Sequence, residues 1–311
     1  MDYNCFAGKK IFLTGGTGFF GKSILEMLSD GFLADTSFVI LSRSPEKFLQ
    51  KYPQFGAVPQ VRFVSGDIRD FAFPQEKFDY IIHAATPAVT TLAPGEMRSI
   101  IINGTAQVLE FAKVCGAEKM LFTSSGAVYG PQGDCCNVPE DFPCRPVTEY
   151  GIAKLEAEKM CIDSGIPTAI ARCFAFVGPH LDLDIHFAIG NFIRDAMEKR
   201  DIIIKGDGTP YRSYMLSCDL VNWLFGILAE GKSSTPYNVG SPVGISIAEL
   251  ARKVAEFFPE PPAVKILTPP QPGVQVSRYV PDTSKAEREL GLKIRYSLDE
   301  AIRYTVNALT T

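Results

Sequence analysis

The chain has 311 residues, a formal net charge of −4 and 46% apolar residues, as expected for a globular protein with one large core or two lobes. The charge balance gives no general basic footprint for nucleic acid, so a phosphate-bearing ligand would need local cations. No apolar run approaches the length of a membrane span, and the opening MDYNCFAGKK is too short and polar for a secretory signal, so a cytoplasmic protein is expected. The eight cysteines lack zinc spacing. Adjacent Cys135 and Cys136 read as reduced loop thiols, and no metal site is expected.

In chain order, KKIFLTGGTGFFG predicts a buried strand, a Gly-rich turn and a helix beginning near Gly21. Glycines permit the tight turn and let the backbone approach a pyrophosphate at the helix N-terminus. Gly15, Thr17, Gly18, Phe19, Phe20 and Gly21 are therefore assigned to a dinucleotide cofactor. Further strands are predicted at 37–42, 61–65, 80–84, 119–124 and 168–173, with helices at 45–51, 95–115 and 148–164 between them. This alternation predicts an α/β, Rossmann-type doubly wound parallel sheet. After Arg172 the rhythm breaks. A helix carrying Asn191, a short strand at 202–205, and helices at 218–230, 247–258 and 284–290 follow. Residues 1–174 are read as the dinucleotide-binding domain, with 214–240 returning to it. Residues 175–311 are read mainly as a smaller mixed α/β substrate lobe.

The second strand ends FVILSRSPEK. A carboxylate there would bind the adenosine ribose and repel a 2′-phosphate, but Ser42 and Arg43 stand in its place. This favours NADP, with NAD as the alternative. Asp67 is placed to touch the adenine edge, or to form an Asx turn.

Tyr150 and Lys154 in YGIAK share one helix face, and Ser125 lies upstream in SSGAVYG. An ammonium beside a phenol lowers its pKa, so Tyr150 would exchange a proton with a hydroxyl near neutral pH. Ser125 would hydrogen-bond the same oxygen. With a hydride acceptor, this set performs alcohol–ketone chemistry. His83 follows an apolar strand and reads as structural. His180 and His186 sit in a loop expected to close over the ligand.

TGGTGFFG, GDIRD, HAAT, Asn103-Gly-Thr, SSGAVYG, YGIAK, GDGTPYRSY with Asp219, YNVGS and PDTSKAEREL together resemble the extended short-chain dehydrogenase/reductases, in their nucleotide-sugar epimerase/dehydratase branch. The resemblance implies Ser125, Tyr150 and Lys154 as catalytic residues. It implies a cofactor lined also by Ile68, Ala84, Ala85, Thr86, Asn103 and Phe174. For a nucleotide diphosphate sugar it implies Thr86, Ser125, Gly126, Asn191, Arg212 and Arg278, the arginines holding the phosphates. Asp219 is read as structural. It also implies a homodimer through the helices at 95–115 and 148–164.

Two departures sharpen this. Gly126 and Ala127 stand where dehydratases carry two acidic residues and decarboxylases carry one, at the second position, so elimination of water and that decarboxylation mechanism are disfavoured. Ala175 replaces an Asn that helps hold the sugar nucleotide in many relatives. The expected activity is NAD(P)-dependent hydride transfer at C4 of a nucleotide sugar. A 4-keto-6-deoxyhexose nucleotide reductase is favoured, with a 4-epimerase as alternative. A non-catalytic NADP-binding sensor or scaffold is the reading from another class.

Overall fold

The computed structural model describes residues 3–87, 92–93, 95–185, 187–271 and 273–310. Its first half alternates strand and helix: β1 (Lys10–Thr14), α1 (Phe19–Ser29), β2 (Ser37–Ser42), α2 (Pro45–Lys51), β3 (Val61–Ser65), β4 (Tyr80–His83), α3 (Glu96–Cys115), β5 (Lys119–Ser125), α4 (Glu149–Asp163) and β6 (Thr168–Cys173). The second half continues with β7 (Phe176–Val177), α5 (Ala188–Met197), β8 (Ile202–Ile204), β9 (Tyr211–Arg212), β10 (Met215–Leu216), α6 (Ser217–Glu230), β11 (Thr235–Val239), β12 (Ile245–Ser246), α7 (Ile247–Ala255), β13 (Val264–Ile266), β14 (Arg278–Tyr279), α8 (Ser284–Leu290) and α9 (Leu298–Thr310).

Seven parallel strands form the central sheet in the order β11-β6-β5-β4-β1-β2-β3. Its strands read as near-continuous apolar runs because helices cover both faces. One face packs on α1 and α6 through Leu13, Ile24, Leu28, Trp223, Phe225 and Leu228. The other packs on α3 and α4 through Phe12, Ile101, Val108, Phe111, Ala153 and Ala157. Between β1 and β4 the chain reverses its direction across the sheet, which opens a crevice at the strands' carboxyl ends.

The predicted doubly wound sheet is present. Residues 235–239 supply its edge strand beside β6, with α6 packed on the same sheet. A smaller lobe gathers α5, α7, β8 and β13 around Ile189, Ile193, Leu250 and Val254. Asp219, in the first turn of α6, accepts the Arg295 and Tyr296 backbone N–H groups through Oδ2 and ties the last segment down.

Some boundaries differ from expectation. Helix α1 starts at Phe19 rather than Gly21, with Gly18 as its N-cap. β4 stops at His83, and α7 stops at Ala255. The terminal helix α9 was not anticipated; it buries Ala301, Ile302 and Thr305.

Candidate active site

The crevice is built by close backbone approach. Gly15 has φ +76°, and a Cβ there would lie 2.5 Å from the Ala84 carbonyl at the end of β4. Only glycine lets β1 and β4 meet this closely. The first turn of α1 then leaves backbone N–H groups at the crevice, a fit for a pyrophosphate. Thr17 is half-buried and Gly18 exposed there. Phe19 and Phe20 pack edge-on to each other, and Phe20 on Phe176. Beneath the crevice, Thr14 Oγ1 accepts from the Ala84 and Ala85 N–H groups, each at 3.2 Å. With both lone pairs used, its proton goes to His83 Nδ1 at 2.8 Å. His83 Nε2 then donates to Thr105 Oγ1 at 3.1 Å. Burial pushes the His83 pKa down to about 3, so this imidazole stays neutral.

At the adenosine end, Ser42 is buried and its Oγ accepts from the Ser44 N–H. Arg43 is exposed and forms no ion pair among the described residues. Asp67 takes the Asx turn, the second of the two readings open to it. Both its oxygens accept from the Arg69 guanidinium, at 2.8 and 2.9 Å, and Oδ1 accepts the Arg69 N–H in an Asx turn. Ile68 is buried under α3, against Gly104. Asn103 sits on the exposed side of α3, donating to Ser99 Oγ.

The structure brings Ser125, Tyr150 and Lys154 together. Helix α4 starts where Thr148 Oγ1 accepts the Gly151 N–H, which aims Tyr150 and Lys154 at the end of β5. Ser125 ends β5 beside Tyr150. The expected electrostatics are corrected, however. Lys154 Nζ lies 6.0 Å from the Tyr150 ring centroid and donates instead to Thr86 Oγ1 and the Thr123 carbonyl, each at 2.7 Å. Burial dominates both groups. It pushes the Tyr150 phenol up to about 12, against the pull of the Ser125 hydroxyl, and the Lys154 ammonium down to about 8. The phenol therefore holds its proton at neutral pH. An ammonium has three donors, and two are committed, so one is left for a ligand.

Gly126 opens the 3-10 turn after Ser125. A Cβ there would lie 2.7 Å from the Phe174 ring. Phe174 is buried, with ring centroids of Tyr279 and Tyr129 at 4.7 and 6.2 Å. An acidic side chain at 126 would have to displace that held ring. Tyr279 itself escaped sequence reasoning. Its hydroxyl lies 3.3 Å from Ser125 Oγ.

In the smaller lobe, β9 lies between β12 and β14, so that Tyr211 faces Arg278 and Arg212 faces Tyr279. Arg278 stacks 4.3 Å above the Tyr211 ring, and Arg212 donates to the Tyr211 carbonyl. Neither has a carboxylate partner among the described residues, so two cations stand ready for a diphosphate. Asn191 lies inside the first turn of α5 with its buried Oδ1 unpartnered. His180 packs on Phe55 and lies 3.4 Å from Glu26 of α1. His186 lies outside the described residues. Cys135 and Cys136 are free thiols.

The comparisons agree with this geometry. The model of the NAD dependent epimerase/dehydratase family matches residues 11–240. UDP-glucuronic acid decarboxylase 6 of Arabidopsis thaliana is 29% identical, across 94% of this chain and 86% of the relative. UDP-glucuronic acid decarboxylase 1 of Xenopus tropicalis is 27% identical, across 96% and 72%. Among solved structures, an epimerase of Methanothermobacter thermautotrophicus shares 25% identity with a TM-score of 0.84, covering 99% of this chain and 94% of that one. The fold also matches UDP-glucuronic acid 4-epimerase of Bacillus cereus with UDP-glucuronic acid and NAD, at 23% identity and TM-score 0.83, covering 97% and 99%. The chain belongs to the NAD-dependent epimerase/dehydratase family, within the extended short-chain dehydrogenases/reductases.

Proposed function

We propose that this protein reduces a 4-keto-6-deoxyhexose nucleotide at C4, drawing on NADPH. The observation that carries the reading is Gly126 beneath Phe174. It leaves no room for an acid at 126, and Ala127 supplies none at the next position, so chemistry at the Ser125–Tyr150–Lys154 corner runs without elimination. Ala127, standing where the resemblance places the decarboxylases' acid, separates the chain from the decarboxylases to which it is similar. Three further features support reduction. The phenol of Tyr150 is protonated at neutral pH, the form that can give a proton to a ketone oxygen. The end of β2 lacks a carboxylate and offers Ser42 and Arg43 to a 2′-phosphate. Arg212 and Arg278 are available for the diphosphate.

In this mechanism the arginines anchor the nucleotide diphosphate and fix the sugar in the crevice. Ser125 hydrogen-bonds the C4 oxygen and orients it. Tyr150 gives its proton to that oxygen, and Lys154 steadies the phenolate left behind with its uncommitted proton. A bound nicotinamide dinucleotide supplies the hydride.

A second reading is a 4-epimerase, favoured by the 4-epimerases among the structural neighbours. A homodimer through α3 and α4, which pack together and expose Val114, Ile152 and Ile162, belongs to either reading. Incubation with NADPH and a panel of 4-keto nucleotide sugars separates the readings. Stoichiometric loss of NADPH absorbance is expected. Interconversion of hydroxy-sugars without net cofactor loss would replace the reductase by the epimerase. Cofactor binding with neither activity would leave a sensor or scaffold.

A further inference from the structure

Ser125 stands between two phenols, and the second belongs to a strand far along the chain. Tyr279 ends β14. Its hydroxyl lies 3.3 Å from Ser125 Oγ and donates to the Cys173 carbonyl at 3.4 Å. Cys173 is the register partner of Ser125 across β5 and β6. The ring is clamped against Phe174 at 4.7 Å. Around it, Val138 N–H donates to the Val280 carbonyl and Asp282 N–H to the Val138 carbonyl, which fixes the strand end.

Counting donors and acceptors gives these contacts a direction. A carbonyl only accepts, so the bond to Cys173 consumes the one Tyr279 proton. Tyr279 can then only accept from Ser125, whose proton points at it. Ser125 Oγ also accepts the Ala127 N–H at 3.1 Å, which leaves it one free lone pair. The resting hydroxyls form a one-way chain from Ser125 through Tyr279 to the Cys173 carbonyl. We propose that Tyr279 is a positioning residue that acts through Ser125: when the reacting oxygen draws the Ser125 proton away, the Tyr279 hydroxyl turns from the Cys173 carbonyl to donate to Ser125 Oγ and holds that hydroxyl on the reacting oxygen. The inference rests on the reading above in that Ser125 and Tyr150 serve that oxygen.

Tyr279→Phe keeps the ring on Phe174 and removes one oxygen. With a nucleotide sugar that the wild type turns over, kcat should fall about tenfold, the worth of one hydrogen bond, with KM within about twofold. In a Ser125→Ala background the same change should cost nothing further. An unchanged kcat, a loss confined to KM, or equal losses in both backgrounds would overturn the proposal. A second readout needs no substrate. In protein carrying 13C at the tyrosine ζ position, Tyr279→Phe should shift the Tyr150 resonance when Ser125 is present and leave it in place in Ser125→Ala. No shift in either background overturns the inference about Tyr279. A wild type inactive on every nucleotide sugar overturns the functional reading instead, and the resonance experiment still decides the role of Tyr279.

Discussion

Ser124 and Ser125 are neighbours on β5, yet they belong to two polar clusters of opposite character. Ser124 donates to Glu158, which is gripped by the Nε and Nη2 groups of Arg172 at 3.0 and 2.8 Å. Arg172 also donates to the Tyr129 hydroxyl and the Glu140 carbonyl, Tyr129 donates to Asn238 Oδ1, and Asn238 donates to the Val138 and Asp282 carbonyls. This buried network joins β5, β6, β11 and α4 with the segment that precedes α8. Ser125 and Cys173, one residue further along the same two strands, belong to the open corner with Tyr150, Lys154 and Tyr279. Tyr150, Lys154 and Glu158 form a single stripe on α4, spaced by four. Burial alone does not separate the clusters, since Lys154 is 3% exposed and Glu158 is 2%. Saturation does. The closed cluster uses its carboxylate and guanidinium on each other, whereas the open one keeps a proton on Lys154 and a hydroxyl on Tyr150 for a visitor.

The comparison breaks most visibly at Glu158. Glu158→Ala leaves the Arg172 guanidinium buried without its carboxylate and should cost about 3–5 kcal/mol in urea unfolding. Replacing both partners with leucine should recover much of that. If the single variant is as stable as wild type, the network is not what fixes these strands. Tyr150→Phe should do the reverse. It should cost at least about 100-fold in kcat, through loss of the proton donor, while stability changes by less than about 1 kcal/mol. Full turnover in this variant would remove Tyr150 from the chemistry.

Lys154 tests the boundary between the clusters through pH. Its ammonium is pushed down to about 8 by burial, from 10.5 in the unfolded chain. Below pH 8 both states carry the charge and burial costs stability. Between pH 8 and 10.5 the native state has released its proton while the unfolded chain keeps it, so this contribution rises with pH. The shift amounts to about 3 kcal/mol. Lys154→Met lacks it. The variant's stability relative to wild type should therefore be highest below pH 8 and should decline by about that amount on passing to 10.5. Parallel curves would show that the ammonium is not desolvated.

What the sequence made legible divides along the same line. The sheet could be read because buried parallel strands are apolar runs bounded by glycine, proline and polar turns. The Tyr150–Lys154 stripe could be read because residues four apart share a helix face. The partners of these side chains could not. Tyr279 reaches Ser125 from 154 residues away, through a two-residue strand that pairs with an equally short one. Lys154 was expected to serve Tyr150, but Thr86 and the Thr123 carbonyl lie nearer, and periodicity on α4 says nothing of residues on the neighbouring strand ends. Asp67 went to Arg69, a pairing visible in the sequence as a cation two residues on. Helix α9 was also visible in principle, since Leu298, Ala301, Ile302, Thr305, Val306 and Leu309 recur at helical spacing.

The smallest expected effect is the most discriminating. Thr86 Oγ1 is one of the two acceptors of the Lys154 ammonium. Thr86→Val keeps the shape of the side chain and removes only that acceptor. In a saturated network such a loss would strand a donor at a cost of several kcal/mol. In the open corner the ammonium keeps the Thr123 carbonyl and can turn its freed proton toward the crevice and solvent. The cost at pH 7 should therefore be about 1 kcal/mol. The charged form loses more than the neutral form, so the Lys154 pKa should fall further below about 8. The stability deficit of Thr86→Val should then narrow at pH 10, where native Lys154 is neutral with or without Thr86. Urea unfolding at the two pH values measures both quantities. A deficit of several kcal/mol at both would show that the corner is as closed as the network behind it, and the distinction between the two clusters would fall.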